Sequence, residues 1–150
     1  MSPAPLYFED LHLGESLRST AHTIDRDELV SFAKEWDPLP FHVDEAAGRR
    51  SFGSLTAPGL YVLAIKQRLI HQLPPIAVIA SLGYDEIRFL KPLRPADTVR
   101  LEAHWVDKRE SSSKPDRGIL TIRFTLIDDV GDPVMTHLDK VLVRCRCAAG

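Results

Sequence analysis

The stretch Ala57-Pro58-Gly59-Leu60-Tyr61-Val62-Leu63-Ala64-Ile65-Lys66-Gln67-Arg68-Leu69-Ile70-His71-Gln72-Leu73 decides the architecture. Its first half is apolar nearly all round, and Lys66, Gln67, Arg68, His71 and Gln72 arrive only in the second half. A helix so patterned is expected to be buried where it starts. Pro58 suits the first turn, where its missing N–H is not needed, and Pro74-Pro75 ends the element.

Beyond Pro75 the hydrophobic period changes to two. Val99, Leu101, Ala103 and Trp105 alternate with Arg100, Glu102 and His104, and Leu120, Ile122, Phe124 and Leu126 alternate with Thr121, Arg123 and Thr125. Each run predicts a strand with one buried face. Residues 77–89 and 134–144 read as two more strands, with Lys140 marking a bulge in the second. The separators, 91–97, 111–118 and 128–133, are rich in turn formers.

Upstream, Asp25-Arg26-Asp27-Glu28 has capping-box spacing, and Leu29, Phe32, Ala33 and Trp36 follow at helical intervals, so residues 25–35 are expected to be a short helix. It stops before Asp37-Pro38-Leu39-Pro40. With an early strand over 17–24, the order predicts an α+β domain in which an antiparallel sheet wraps a central helix.

The 150 residues, 44% hydrophobic, suit one domain spanning 1–150. Nineteen Lys and Arg against 21 Asp and Glu, a net charge of -2, argue against a nucleic-acid or membrane-surface partner. Met1-Ser2-Pro3-Ala4-Pro5 opens no secretion signal and the apolar runs are too short to cross a bilayer, so a cytoplasmic protein is expected. Cys145 and Cys147 are read as free thiols, and with the histidines scattered no metal site is expected.

The chemistry sits in Trp36-Asp37-Pro38-Leu39-Pro40-Phe41-His42-Val43-Asp44. It carries a carboxylate and an imidazole on a proline-locked loop, between a helix end and a small helical segment that Asp44 caps. Residue types alone leave two readings open: a proton-transfer pair, or an Asp-Pro turn with a capping histidine. Arg49, Arg50, Lys91 and Arg94 fall in predicted loops, where they serve either as solvated charge or as phosphate contacts, the pair Lys91 and Arg94 foremost. His22, His104 and His137 lie in strands and are expected to be without chemistry, and Trp36 and Trp105 to be packing anchors.

Asp37-Pro38-Leu39-Pro40-Phe41-His42 resembles the Asp-x-Asn-Pro-x-His signature of the MaoC-like (R)-specific enoyl-CoA hydratases and dehydratases. The approach Phe52-Gly53-Ser54-Leu55-Thr56-Ala57-Pro58-Gly59 and the run from Phe89 to Val99 are similar to the same family, so the resemblance covers most of the chain. Leu39 stands where the signature has Asn, and Pro58 precedes Gly59 where many members carry His or Ser. The resemblance implies a hot dog fold paired into a homodimer, acting on acyl-CoA. Coenzyme A would be part of the substrate, with no resident cofactor. It further implies that Asp37 and His42 hold and activate the water added to a 2-enoyl thioester, while the Gly59 N–H faces the thioester oxygen. Two alternatives share the fold: a thioesterase, and a non-catalytic acyl-binding or partner subunit of a two-chain dehydratase, the reading Leu39 favours.

Overall fold

The computed structural model describes residues 2–146. Two short strands, β1 (Ser16–Arg18) and β2 (His22–Thr23), lead into helices α1 (Arg26–Trp36), α2 (Pro40–Val43), α3 (Glu45–Phe52) and α4 (Gly59–Ile70). Four long strands follow: β3 (Val78–Phe89), β4 (Thr98–Glu110), β5 (Arg117–Asp128) and β6 (Pro133–Arg144). They form one antiparallel sheet in the order β1-β4-β5-β6-β3, with β2 also on β4. This is the hot dog arrangement that the resemblance implied, with α4 as its central helix.

The period-two residues of β4 and β5 all point inward: Leu101, Ala103, Trp105, Leu120, Phe124 and Leu126 are buried, as their alternation requires. Against them α4 sets Tyr61, Val62, Ile65 and Leu69. Burying an apolar side chain of this kind contributes about 1.5–3 kcal/mol, so this layer holds the sheet and helix together.

Four expectations are corrected. The early strand is broken in two, because the Ser19 hydroxyl takes the Leu101 N–H at 2.9 Å that a continuing strand would pair. The bulge expected at Lys140 lies on the neighbouring strand instead: Ser81 pairs with Val141 and Gly83 with Lys140, leaving Leu82 as the extra residue. Trp36 is not a packing anchor but 62% exposed at the end of α1. The start of α4 is not buried all round, since Leu60 is exposed, whereas Lys66, from the polar half, is 1% exposed. Trp105 is buried as expected, and Cys145 is half-buried. Cys147 lies outside the described residues. Among those described, no helix is long and apolar enough to cross a membrane.

Candidate active site

Asp37 is the C-cap of α1, and its N–H donates to the Ala33 carbonyl at 2.9 Å. The start of α1 is fixed as the sequence suggests, the Asp25 carboxylate accepting from the Glu28 N–H at 3.0 Å. Pro38 forbids a further turn. The chain then restarts in α2, with Pro40 at its first positions. His42 therefore stands on a helical turn, not on a loop, and Asp44 closes that turn while capping α3 by accepting from the Ala47 N–H at 3.0 Å.

His42 is 6% exposed. Its Nδ1 lies 2.6 Å from the Thr56 carbonyl oxygen, which can only accept, so Nδ1 carries the proton and donates. That bond fixes the tautomer: Nε2 presents a lone pair, and it faces Asp37 Oδ2 at 3.6 Å. This gap is too long for a direct hydrogen bond and suits two groups that share one water. Asp37 remains partly open to solvent, so one partner is held rigidly and the other is accessible.

Across from the pair is the N-terminus of α4. Its Tyr61 and Val62 N–H groups turn back to the Pro58 carbonyl, whereas among the described residues nothing accepts the Gly59 N–H. Helix geometry leaves such N–H groups unpaired and a positive dipole end beside them. Gly59 leaves room for the Phe89 ring: a Cβ there would lie 2.7 Å from Phe89 Cζ, so the ring would have to shift. His42, Thr56, Gly59, Val62, Phe89 and Lys91 all line one cleft of about 360 Å³, whose remaining walls are largely apolar. A larger hollow of about 670 Å³ lies beside the β4–β5 hairpin and holds neither His42 nor Gly59.

Three further contacts set the geometry. The Tyr61 hydroxyl donates to Glu28 at 2.8 Å and its ring meets Phe32 edge-on at 5.3 Å, tying α4 to α1 and so Gly59 to Asp37. Burial and the Glu28 carboxylate push the Tyr61 phenol up, keeping it a donor. The Ala57 N–H donates to the Leu93 carbonyl at 2.8 Å, which anchors the approach to α4 on the 91–97 turn.

The two cations singled out in the sequence both have protein partners. Lys91 lies at the cleft and pairs with Asp128 and Asp132, which hold its amine above the usual range. Arg94 donates to the Phe52 carbonyl and the Ser54 hydroxyl, each at 2.6 Å, and so clamps the loop leading to α4. Arg94→Ala is expected to lose about 1 kcal/mol, lowering Tm by about 2–4 °C in a thermal melt of a domain this size. An unchanged Tm would show that the clamp adds nothing.

Sequence reasoning missed Lys66 and His137. Lys66 was counted with the polar half of α4, and His137 was read as a surface or core strand residue without chemistry; the structure buries both together beneath α4. The signal was in the spacing, because Val62, Lys66 and Leu69 share the helix face that meets the sheet.

A family model for the MaoC like domain matches residues 10–125. Protein MaoC of Klebsiella aerogenes is 30% identical over 101 residues, covering 66% of this chain and 30% of that protein. A mesaconyl-CoA hydratase of Cereibacter sphaeroides is 27% identical over 146 residues, covering 95% of this chain and 42% of that protein. The chain thus spans less than half the length of these two relatives. Among solved structures, a MaoC-like dehydratase from Rhodospirillum rubrum is 35% identical with a TM-score of 0.88, over 94% of this chain and 98% of that one. An (R)-hydratase from A. caviae, 24% identical with a TM-score of 0.72 over 89% of this chain and 97% of that one, shares the fold. The chain belongs to the MaoC-like dehydratase family.

Proposed function

We propose that the chain catalyses the (R)-specific hydration of 2-enoyl-CoA thioesters and, in reverse, the dehydration of 3-hydroxyacyl-CoA. The observation that carries the reading is the 3.6 Å gap between Asp37 Oδ2 and the unprotonated Nε2 of His42. A water in that gap donates one O–H to each. As its oxygen adds to C3 of the enoyl group, a proton passes to the pair and electron density moves from the double bond to the thioester oxygen. The Gly59 N–H and the positive end of α4 stabilise that developing charge. The proton held by the pair then passes to C2, which completes the addition of one water. Lys91 at the rim and the remaining N–H groups of Arg94 supply positive charge for the CoA phosphates. The family relatives support a hydro-lyase, and we place its action in the cytoplasm.

Incubation with crotonyl-CoA tests this reading. Loss of the enoyl absorbance is expected. Release of free thiol would replace hydration by thioester hydrolysis, and no change at all would favour a non-catalytic acyl-binding or partner subunit.

The proposal includes a homodimer. Strand β3 ends the sheet, and Val78, Leu82, Tyr84 and Phe89 are exposed along it, an edge of the kind that proteins cover or pair. Light scattering should give twice the chain mass, and Leu82→Lys should shift it toward the monomer. A wild-type monomer with full turnover would overturn the paired arrangement.

A further inference from the structure

A buried polar cluster lies behind the cleft that the hydration chemistry does not use. Gly59, Val62 and Lys66 occupy one face of α4, and the first two line the cleft. On β6 the inward row runs from Met135, paired with Phe89 at the cleft, to His137 and then Asp139. Lys66 and His137 meet around the Tyr84 and Phe124 rings: the Lys66 ammonium is 4.3 Å from the first ring centre and 5.6 Å from the second, and the His137 ring is 4.5 Å and 5.6 Å from them.

Neither group is fully satisfied by the protein. Lys66 has three N–H donors but contacts only the Tyr84 hydroxyl at 3.1 Å and Gln67 Oε1 at 3.3 Å, with no carboxylate at ion-pair distance among the described residues. The buried Asp139 carboxylate acts on both from beyond that distance and accepts from the Ser81 hydroxyl at 2.9 Å. His137 is fully buried; its Nδ1 lies 3.2 Å from the Leu138 carbonyl oxygen, and its Nε2 has no hydrogen-bond partner among the described residues. A buried charge left this way is costly, so a native chain is expected to keep it for a guest that completes it. Burial lowers the Lys66 amine to about 8 and pushes the His137 imidazole below its usual value, and the Asp139 carboxylate offsets this only in part.

We propose that Lys66 and His137, one helical turn behind Val62 of the cleft wall, form an anion subsite that takes the distal carboxylate of a short dicarboxylic acyl thioester. One carboxylate oxygen accepts from Lys66 and the other from His137 Nε2, the imidazole taking up a second proton there while Nδ1 keeps its N–H toward the Leu138 carbonyl, as an adjacent anion favours. Gly59 and Lys66 are seven positions apart, about 10 Å along the helix, and a helical side chain leans back toward the N-terminus, which leaves a span on the order of 5 Å. That span suits acyl groups of roughly four to six carbons, with the thioester oxygen at the Gly59 N–H. The subsite rests on the hydratase reading for its thioester end, and its own test uses binding without turnover.

The test is calorimetric titration of the whole chain with two saturated, unreactive probes, glutaryl-CoA and butyryl-CoA. Glutaryl-CoA is expected to bind at least about tenfold more tightly, the strength of one charge-assisted contact. Lys66→Met should abolish that preference while leaving the Kd for butyryl-CoA within about twofold. His137→Phe, a second variant should Lys66→Met not fold, should weaken it. Equal Kd values for the two probes in the wild type, or a preference that survives in Lys66→Met, would overturn the subsite. Binding of 5-hydroxyvaleryl-CoA as tight as glutaryl-CoA would overturn the anionic class. Failure to hydrate crotonyl-CoA with the glutaryl preference intact would instead sink the hydratase reading and leave the subsite standing.

Discussion

Asp37→Asn and His42→Ala are each expected to lower kcat for crotonyl-CoA hydration by about 10²- to 10⁴-fold, the usual contribution of a positioned acid or base. Asp37→Asn replaces an acceptor-only carboxylate by an amide that can turn an N–H toward the water, so the water loses its orientation while the backbone cap of α1 stays. His42→Ala removes the lone pair that receives the proton. The two share one water, so the double variant should be little worse than the worse single one. Additive losses would mean that the residues act in separate steps. Wild-type kcat in either variant would remove that residue from the reaction.

Stability separates the two variants. The sequence places both residues on a loop whose side chains are not expected to carry the core, and that holds for Asp37, which is partly open to solvent. His42 is buried and donates to Thr56, so its removal leaves a buried carbonyl without its donor. A cost of about 1–3 kcal/mol is expected for such a group. His42→Gln, which keeps a donor, should recover part of Tm without recovering kcat. Were the pair merely a turn and a cap, Tm would fall while activity per folded molecule persisted.

The same contrast shows what the sequence makes legible. Hydrophobic period located α1, α4 and the four long strands, because each buries a face whose spacing is set by backbone geometry alone. The break between β1 and β2 escaped, since it depends on where the Ser19 hydroxyl lies relative to Leu101, a residue 82 positions away. For the site, the Asp37 to His42 spacing was visible. The tautomer of His42 was not, because it is fixed by Thr56 across the fold. Lys66 was grouped with the polar half of α4 for a related reason: its type outweighed its position, and position won once the sheet closed over that face of α4. Arg94 shows the reverse, a loop cation read as solvated charge or a phosphate contact whose guanidinium also holds the Phe52 and Ser54 loop.

Gly59→Ala should move activity and stability in opposite directions. Alanine is the better helix former, and Gly59 does not adopt a positive φ, so the backbone change alone favours folding by up to about 1 kcal/mol. The added Cβ, however, would lie 2.7 Å from Phe89 Cζ and 2.9 Å from Cε2, closer than side-chain carbons pack. Phe89 is on the edge strand and exposed, so its ring can give way, and the fold survives. What is lost is the space over the Gly59 N–H, since both the methyl and the displaced ring then stand where the thioester oxygen must approach. Loss of one such donor costs about 10²- to 10³-fold in kcat, and a fall of that order in crotonyl-CoA hydration is expected with Tm unchanged or raised. The double variant Gly59→Ala with Phe89→Ala tests the cause. If crowding by the ring is what blocks the donor, removing the ring should return a good part of kcat. Wild-type kcat in Gly59→Ala alone would mean that the oxygen is held elsewhere, and the N-terminus of α4 would then lose its place in the reaction.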